Sequence, residues 1–236
     1  MAPIQMRIIY ALLPLLLMLT GCKTQNTFPK DWDMEALKGK PKKITEISKY
    51  GQQESRLKKI SYYNESGNLM KTEEFNEYNY SDDSFGLTQI TYYSYPENNT
   101  SRTAVTFKKN TKDTVNTRTY TMVDDTTIIA KNKDKEDKLI TSLEQKLDKA
   151  NRLIQNKFEI IDTEESISKM NSSIDFIYSD DGLEKLIIKN KMTKPEGNEI
   201  VVINEKNDAT GNPVYYEYSD ENKNAIYSVE REYEYY

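Results

Sequence analysis

The sequence predicts an all-β protein: an antiparallel meander forming a curled sheet or open half-barrel, with at most one short N-terminal helix. Three observations carry this expectation. From Pro41 to the last residue, short runs rich in Ile, Val, Thr, Tyr and Phe alternate with clusters of Gly, Asn, Asp and Pro, the pattern of serial hairpins. Six of the eight glycines fall between such runs. The 18 tyrosines, with many Ile, Val and Thr residues, give strand-forming character to a chain whose mean hydropathy is only −0.82.

The chain opens on a leader. Residues 1–7 carry one positive charge, Arg7; residues 8–19 are almost wholly apolar; and the small Gly21 precedes Cys22. That is the order of parts in a secretory signal. The apolar run is shorter than the roughly 20 residues a transmembrane helix needs, and it contains Pro14. Leu19-Thr20-Gly21-Cys22 resembles the bacterial lipobox, in which the cysteine thiol is diacylated, the leader is cut before it, and the new amino terminus is acylated. The resemblance implies lipidation at Cys22, a signal peptide over 1–21, a lipidated tether with a short helix over 22–40, and a single β-meander domain over 41–236. The membrane is then a partner through the anchor, because several acyl chains hold stably where one, at about 0.8 kcal/mol per methylene, holds only marginally. Lys23 stands where the inner-membrane retention signal of enteric bacteria has aspartate, and residues 23–27 hold no acid. The first favours the outer membrane; the second lacks the acidic surface-export tag of some Bacteroidota and favours the periplasmic side.

Composition excludes whole chemistries. There is no histidine, and Cys22 is the only cysteine, so Ser-His-Asp and Cys-His nucleophiles, Cys/His zinc sites and disulfides within the chain are ruled out. No catalytic residue, metal site or cofactor site is expected. Without the leader and its Arg7, 32 basic residues stand against 38 acidic ones. A mildly acidic chain of interspersed signs lacks the basic footprint of a nucleic-acid binder.

Taken in order, residues 31–37 read as a short helix capped by Asp33 and ended by Gly39 and Pro41. The clearest turns are Asn64-Glu65-Ser66-Gly67, Tyr95-Pro96-Glu97-Asn98-Asn99, Asp180-Asp181-Gly182, Pro195-Glu196-Gly197-Asn198 and Asp208-Ala209-Thr210-Gly211. Residues 138–156 fit a helical stripe through Leu139, Leu143, Leu147, Ala150 and Ile154, yet two strands are the favoured reading. The reason is that Asp148-Lys149-Ala150-Asn151-Arg152-Leu153 lines up with Asn64-Glu65-Ser66-Gly67-Asn68-Leu69, Asn151 taking the positive φ of Gly67. Residues 103–127 are threonine-rich and suited to a thin core. Ile200-Val201-Val202-Ile203 is apolar on both faces and reads as a central strand covered from two sides. In the tail, Tyr227, Val229, Arg231, Tyr233 and Tyr235 alternate with Ser228, Glu230, Glu232 and Glu234, which predicts a strand with tyrosines inward and Arg231 reaching an edge or an acidic partner.

Tyr63-Asn64-Glu65-Ser66-Gly67-Asn68-Leu69 resembles the YD (Rhs-type) repeat, and residues 148–153 and 208–212 are partial echoes of it. With the lipobox, the chain resembles the uncharacterised YD-repeat-like lipoproteins of Bacteroidota. The resemblance implies a curling antiparallel sheet and no known reaction.

Two constellations invite a functional reading. The acid pairs Asp82-Asp83, Asp124-Asp125 and Asp180-Asp181 fall at expected turns, where adjacent side chains diverge and act as solvated turn residues. The tyrosine pairs Tyr62-Tyr63, Tyr92-Tyr93, Tyr215-Tyr216 and Tyr235-Tyr236 put one ring on each sheet face and serve cross-strand packing, or a glycan or acyl chain. The function expected is therefore non-enzymatic: an outer-membrane-anchored lipoprotein acting as a binding or interaction module for an envelope protein, glycan or lipid. The alternative is a periplasmic carrier of lipid or another apolar ligand in an open β half-barrel. A concave face of Ile, Leu, Val and Phe favours the carrier; one of Tyr, Thr and Asn favours the glycan or protein binder.

Overall fold

The alternation in the sequence becomes fourteen antiparallel strands in the computed structural model, which describes residues 27–50, 56–79, 84–96, 100–109, 111, 113–161, 171–179, 182–190 and 196–236. One short helix, α1 (Asp31–Met34), precedes β1 (Pro41–Tyr50), β2 (Arg56–Tyr63), β3 (Leu69–Asn79), β4 (Ser84–Ser94) and β5 (Ser101–Lys108). Then follow β6 (Thr114–Met122), β7 (Thr127–Asp134), β8 (Leu139–Leu147), β9 (Leu153–Ile160) and β10 (Asn171–Ser179). The last four are β11 (Gly182–Lys189), β12 (Asn198–Asn207), β13 (Pro213–Ser219) and β14 (Ala225–Tyr235).

Each strand pairs with the next, and β14 returns to pair with β1, from Pro41 opposite Tyr235 to Tyr50 opposite Tyr227. The sheet is a closed barrel, which overturns the expected curled sheet or open half-barrel. Alternation specifies which face of a strand is wet; it does not specify what the first and last strands pair with. Left open, β1 and β14 would each present a row of unpaired N–H and C=O groups, and closure removes both edges.

The inner face follows from the register. One inward row runs Tyr233, Ile44, Ser61, Thr72, Thr91, Thr106 across β14 and β1 to β5. All of these but Tyr233 are buried, and Thr91 and Thr106 share a hydrogen bond of 2.9 Å. A circular barrel of fourteen strands, with strands about 4.8 Å apart and tilted about 40°, has a backbone radius of roughly 14 Å. Side chains from the wall alone do not fill that width. Accordingly the core divides into three clusters, and the N-terminal segment contributes to two of them: Phe28 and Met34 pack with Ile128, Ala130, Tyr120 and Leu147, while Trp32 packs with Ile44, Tyr63 and Leu69. The third, Leu186, Tyr216, Tyr218 and Val229, is built by the strands themselves.

This segment plugs one end of the barrel. The up-and-down order puts the chain entering β1 at the same end as the turns after β2, β4, β6, β8 and β12, and the contacts agree. Trp32 Nε1 donates to the Pro41 carbonyl at 3.0 Å, and its backbone N–H donates to the Gly67 carbonyl. The side-chain oxygen of Asn212 accepts from the Lys38 N–H at 2.7 Å, and its amide donates to the Lys38 carbonyl at 2.8 Å. Phe28 and Pro29, part of the segment expected to be tether, are buried. The helix is a single turn ending at Met34 rather than reaching residue 37; Lys30 holds its N-cap position and no side chain caps it, so the Asp33 cap is corrected.

Five of the turns share one geometry. At Asn64, Asp134, Asp148, Asp208 and Asp220 the side-chain oxygen accepts N–H groups two and four residues ahead. The residue three ahead takes positive φ: Gly67, Asp137, Asn151, Gly211 and Lys223. The 138–156 region is accordingly two strands, β8 and β9, as favoured, with Asn151 at φ 63°. β12 departs from expectation: Ile200 and Val202 face inward and pack with Tyr216 and Tyr218, whereas Ile203 lies outside and is 37% exposed, so only one face is covered.

Candidate functional site

Two buried or part-buried ion pairs and two unpaired charges face the lumen around the plug and the closing seam. Asp31 and Glu35 stand on the plug segment, and Arg102, Glu46, Lys59 and Arg231 on inward strand positions. Asp31 on α1 and Arg102 on β5 form an ion pair in which both residues are buried, at 4% and 5% exposure. Asp31 also accepts from Tyr95 Oη at 2.7 Å and from the Leu69 N–H at 2.8 Å, while the Arg102 guanidinium stacks over the Tyr120 ring at 4.1 Å. Burial pushes against the charged guanidinium, but the Asp31 carboxylate outweighs it and Arg102 stays firmly protonated. This pair rivets the plug to the wall. The second pair joins Glu46 on β1 to Arg231 on β14 across the closing seam, with Nε and Nη2 of Arg231 each 2.7 Å from Oε2 of Glu46. Burial raises the Glu46 carboxyl, and Arg231 with Lys59 more than reverses this, holding it below its usual value. The acidic partner expected for Arg231 is thus Glu46.

The other two groups are unpaired. Glu35, just after α1, accepts one hydrogen bond, from Tyr63 Oη at 3.1 Å; Lys59 projects inward on β2 opposite Glu46. Neither has an ion-pair partner within 4 Å among the described residues, although each is the other's leading opposite charge. Both keep more than a third of their surface accessible while projecting into the barrel, so that surface belongs to the lumen wall. Burial raises the Glu35 carboxyl, only partly offset by Lys59 and Arg231. Lys59 is raised: burial acts against its charge, and Glu35 and Glu46 prevail.

Beside Glu35 the lumen opens into a cavity of about 230 Å³ between residues 34–38 of the plug and the inner faces of β9 to β14. Its wall includes Leu153, Phe176, Tyr178, Leu183, Val202 and Tyr218. The strands from β1 to β6 carry both kinds of inward residue, the polar Ser61, Thr72, Thr91 and Thr106 beside the apolar and aromatic Ile44, Tyr63, Leu69, Ala104 and Tyr120.

The outer wall is charged. Lys58, Glu73, Lys131, Glu144, Lys157, Asp175, Lys185, Lys189, Glu217 and Glu230 occupy positions alternate to the inward rows. Lysine or arginine at a bilayer midplane costs about 2–4 kcal/mol in a transmembrane barrel, whose outer band is apolar. This wall is built for water. No helix among the described residues is long and apolar enough to cross a membrane.

The expected site residues fare unevenly. Cys22 lies outside the described residues, as do Asp82-Asp83 and Asp180-Asp181. Asp124 accepts the Thr126 N–H at 2.8 Å and is a turn residue, as expected. Tyr63, Tyr93 and Tyr216 face the lumen, and Tyr62, Tyr92 and Tyr215 face outward. Among the described residues there is no cluster of metal-ligating side chains. Glu35, Lys59 and Arg102 were not singled out by sequence; for Arg102 a signal existed, its alternation with the small inward residues Ala104 and Thr106.

No family model and no curated protein matches the chain. Among solved structures it is similar to a porin-like protein from Bacteroides uniformis, at 13% identity and a TM-score of 0.46 over 88% of this chain and 100% of that one. It is also similar to a protein of unknown function from Bacteroides fragilis, at 16% identity and a TM-score of 0.35 over 56% of this chain and 91% of that one.

Proposed function

We propose that this protein is a non-enzymatic lipoprotein of the cell envelope whose closed barrel binds a small amphipathic ligand in its lumen. The observation that carries the reading is the cavity itself, walled by apolar side chains on one side and bordered by the unpaired Glu35 on the other. Natural ligand sites combine apolar walls with a few polar groups in this way. The non-enzymatic part is supported by the lack of histidine and by the engagement of Asp31 and Glu46 with arginines. Anchoring through Cys22 is supported by the lipobox resemblance; the sequence after it favours the outer membrane, periplasmic side. Four residues separate Cys22 from Thr27, five steps of the chain with a reach of at most about 18 Å, so a lipid there holds the plugged end toward the membrane.

The test is binding of the neutral apolar dye N-phenyl-1-naphthylamine to the mature chain, with Val202→Trp as the cavity-filling variant. Saturable fluorescence enhancement in the wild type and its loss in a folded V202W protein are expected. Equal enhancement in both, or none in the wild type, refutes lumenal binding.

A further inference from the structure

We propose that the ligand is an organic cation, a small amine with an apolar body, and that Glu35 is its counter-ion; this rests on the lumenal binding read above. Three charged residues border the cavity: Glu35, Lys38 and Arg231. Arg231 is engaged by two contacts to Glu46 and lies over the Tyr216 ring at 5.2 Å. Lys38 is exposed and lies along the Gly211 turn at the rim. That leaves Glu35, which has one neutral donor, the Tyr63 hydroxyl, and an otherwise unmatched carboxylate facing accessible space. Lys59 faces the lumen but does not border the cavity, and Arg231 is already held by Glu46, so among the groups at the cavity Glu35 is the charge left to a ligand.

The rest of the wall suits the same ligand. Phe176, Tyr178, Tyr216 and Tyr218 border the cavity with aromatic rings. Arg231 lies over Tyr216, Arg152 over Tyr178, and Tyr227 stacks on Tyr218, so the rings offer mainly their remaining surfaces to an apolar body. Phe176 is the ring of the four that no cation or stacked ring among the described residues already covers. A dry cavity of about 150 Å³ holds benzene; about 230 Å³ leaves room for one ring with a short aminoalkyl arm. The pairing is chemically complete: the ammonium reaches the carboxylate, and the ring lies among the aromatic and aliphatic side chains.

The experiment is calorimetric titration of the mature chain and of Glu35→Gln with three near-isosteric probes: 2-phenylethylamine, 2-phenylethanol and 3-phenylpropionate. The amine should bind the wild type at least tenfold more tightly than the alcohol, with the carboxylate weaker than both. In E35Q the amine should fall to the level of the alcohol, whose own affinity should be unchanged; that unchanged value also shows the cavity intact. If the three probes bind alike, or the amine keeps its advantage in E35Q, the cation assignment fails while lumenal binding stands. If none of the three binds and the naphthylamine dye is also silent, both readings fail.

Discussion

Gly67 and Gly211 occupy the same turn with the same φ of +90°, yet they should respond differently to the same methyl group. At either site, alanine in the left-handed region costs on the order of 1–2 kcal/mol. At Gly211 the added Cβ would meet only the side chain of Lys38, at 3.3 Å, and that flexible chain can swing away. At Gly67 the Cβ would stand 2.6 Å from Trp32 Cε3 and 2.8 Å from Cδ2, against a ring fixed by its hydrogen bond to Pro41 and by its place among Ile44, Tyr63 and Leu69. Forcing a methyl into such packing adds about 1–3 kcal/mol. Gly67→Ala should therefore cost roughly 2–5 kcal/mol and Gly211→Ala about 1–2 kcal/mol. With a urea m-value of about 2 kcal/mol/M, the two midpoints should differ by roughly 1 M. Trp32 is the only tryptophan, so its fluorescence reports the plug directly, with far-ultraviolet circular dichroism reporting the barrel. In G67A the tryptophan signal should shift even in native buffer. Equal midpoints and an unshifted Trp32 spectrum would show that the plug does not rest on this turn.

Glu46→Gln leaves Arg231 in a part-buried site without its anion and should cost about 3–5 kcal/mol at pH 7. Because the folded-state carboxyl is depressed, Glu46 contributes stability that is present above its unfolded value near 4.5 and is lost as pH falls through the folded value, so urea midpoints of mutant and wild type should converge in acid. Glu35 has the opposite sign: its raised folded value means that stability present below pH 4.5 is lost as pH rises through that value, so Glu35→Gln should melt at or above the wild-type temperature at pH 7 and match it in acid. A lower melting temperature for E35Q at pH 7 would make Glu35 a structural residue. Cys22→Ser should abolish incorporation of radiolabelled palmitate, and equal labelling of wild type and mutant would end the lipoprotein reading.

What was legible in the chain was local. Turn residues that bond their own backbone and a two-residue period along β14 are written in consecutive positions, so the hairpins, the β8–β9 pair and the inward tyrosines of the tail could be read directly. The site was not legible, because it is assembled from distant segments. Asp31 and Arg102 lie 71 positions apart, and Glu46 and Arg231 lie 185 apart. In the sequence Lys59 is the second of two adjacent lysines, and only pairing with β1 shows that Lys58 faces out while Lys59 faces in, opposite Glu46. The error at Ile200-Val201-Val202-Ile203 has the same origin, since an apolar residue on an outer wall looks like a buried one until the sheet's second face is known.

Closure and polarity of the inner wall belong together. Ser61, Thr72, Thr91 and Thr106 form a continuous inward belt of hydroxyls, too small to meet their counterparts across a fourteen-stranded barrel and too polar to be buried unsatisfied. The plug answers the first problem by delivering Phe28, Trp32 and Met34 to the lumen; the Thr91–Thr106 bond answers part of the second. The far wall, where Leu186, Tyr216, Tyr218 and Val229 form their own cluster, is large enough to enclose space without the plug filling it. The plug thus meets the apolar patches of β1 to β3 and of β5 to β8, while the apolar wall from β9 to β14 is left bordering the cavity. Glu35 stands at the border of that cavity, on the chain that does the filling.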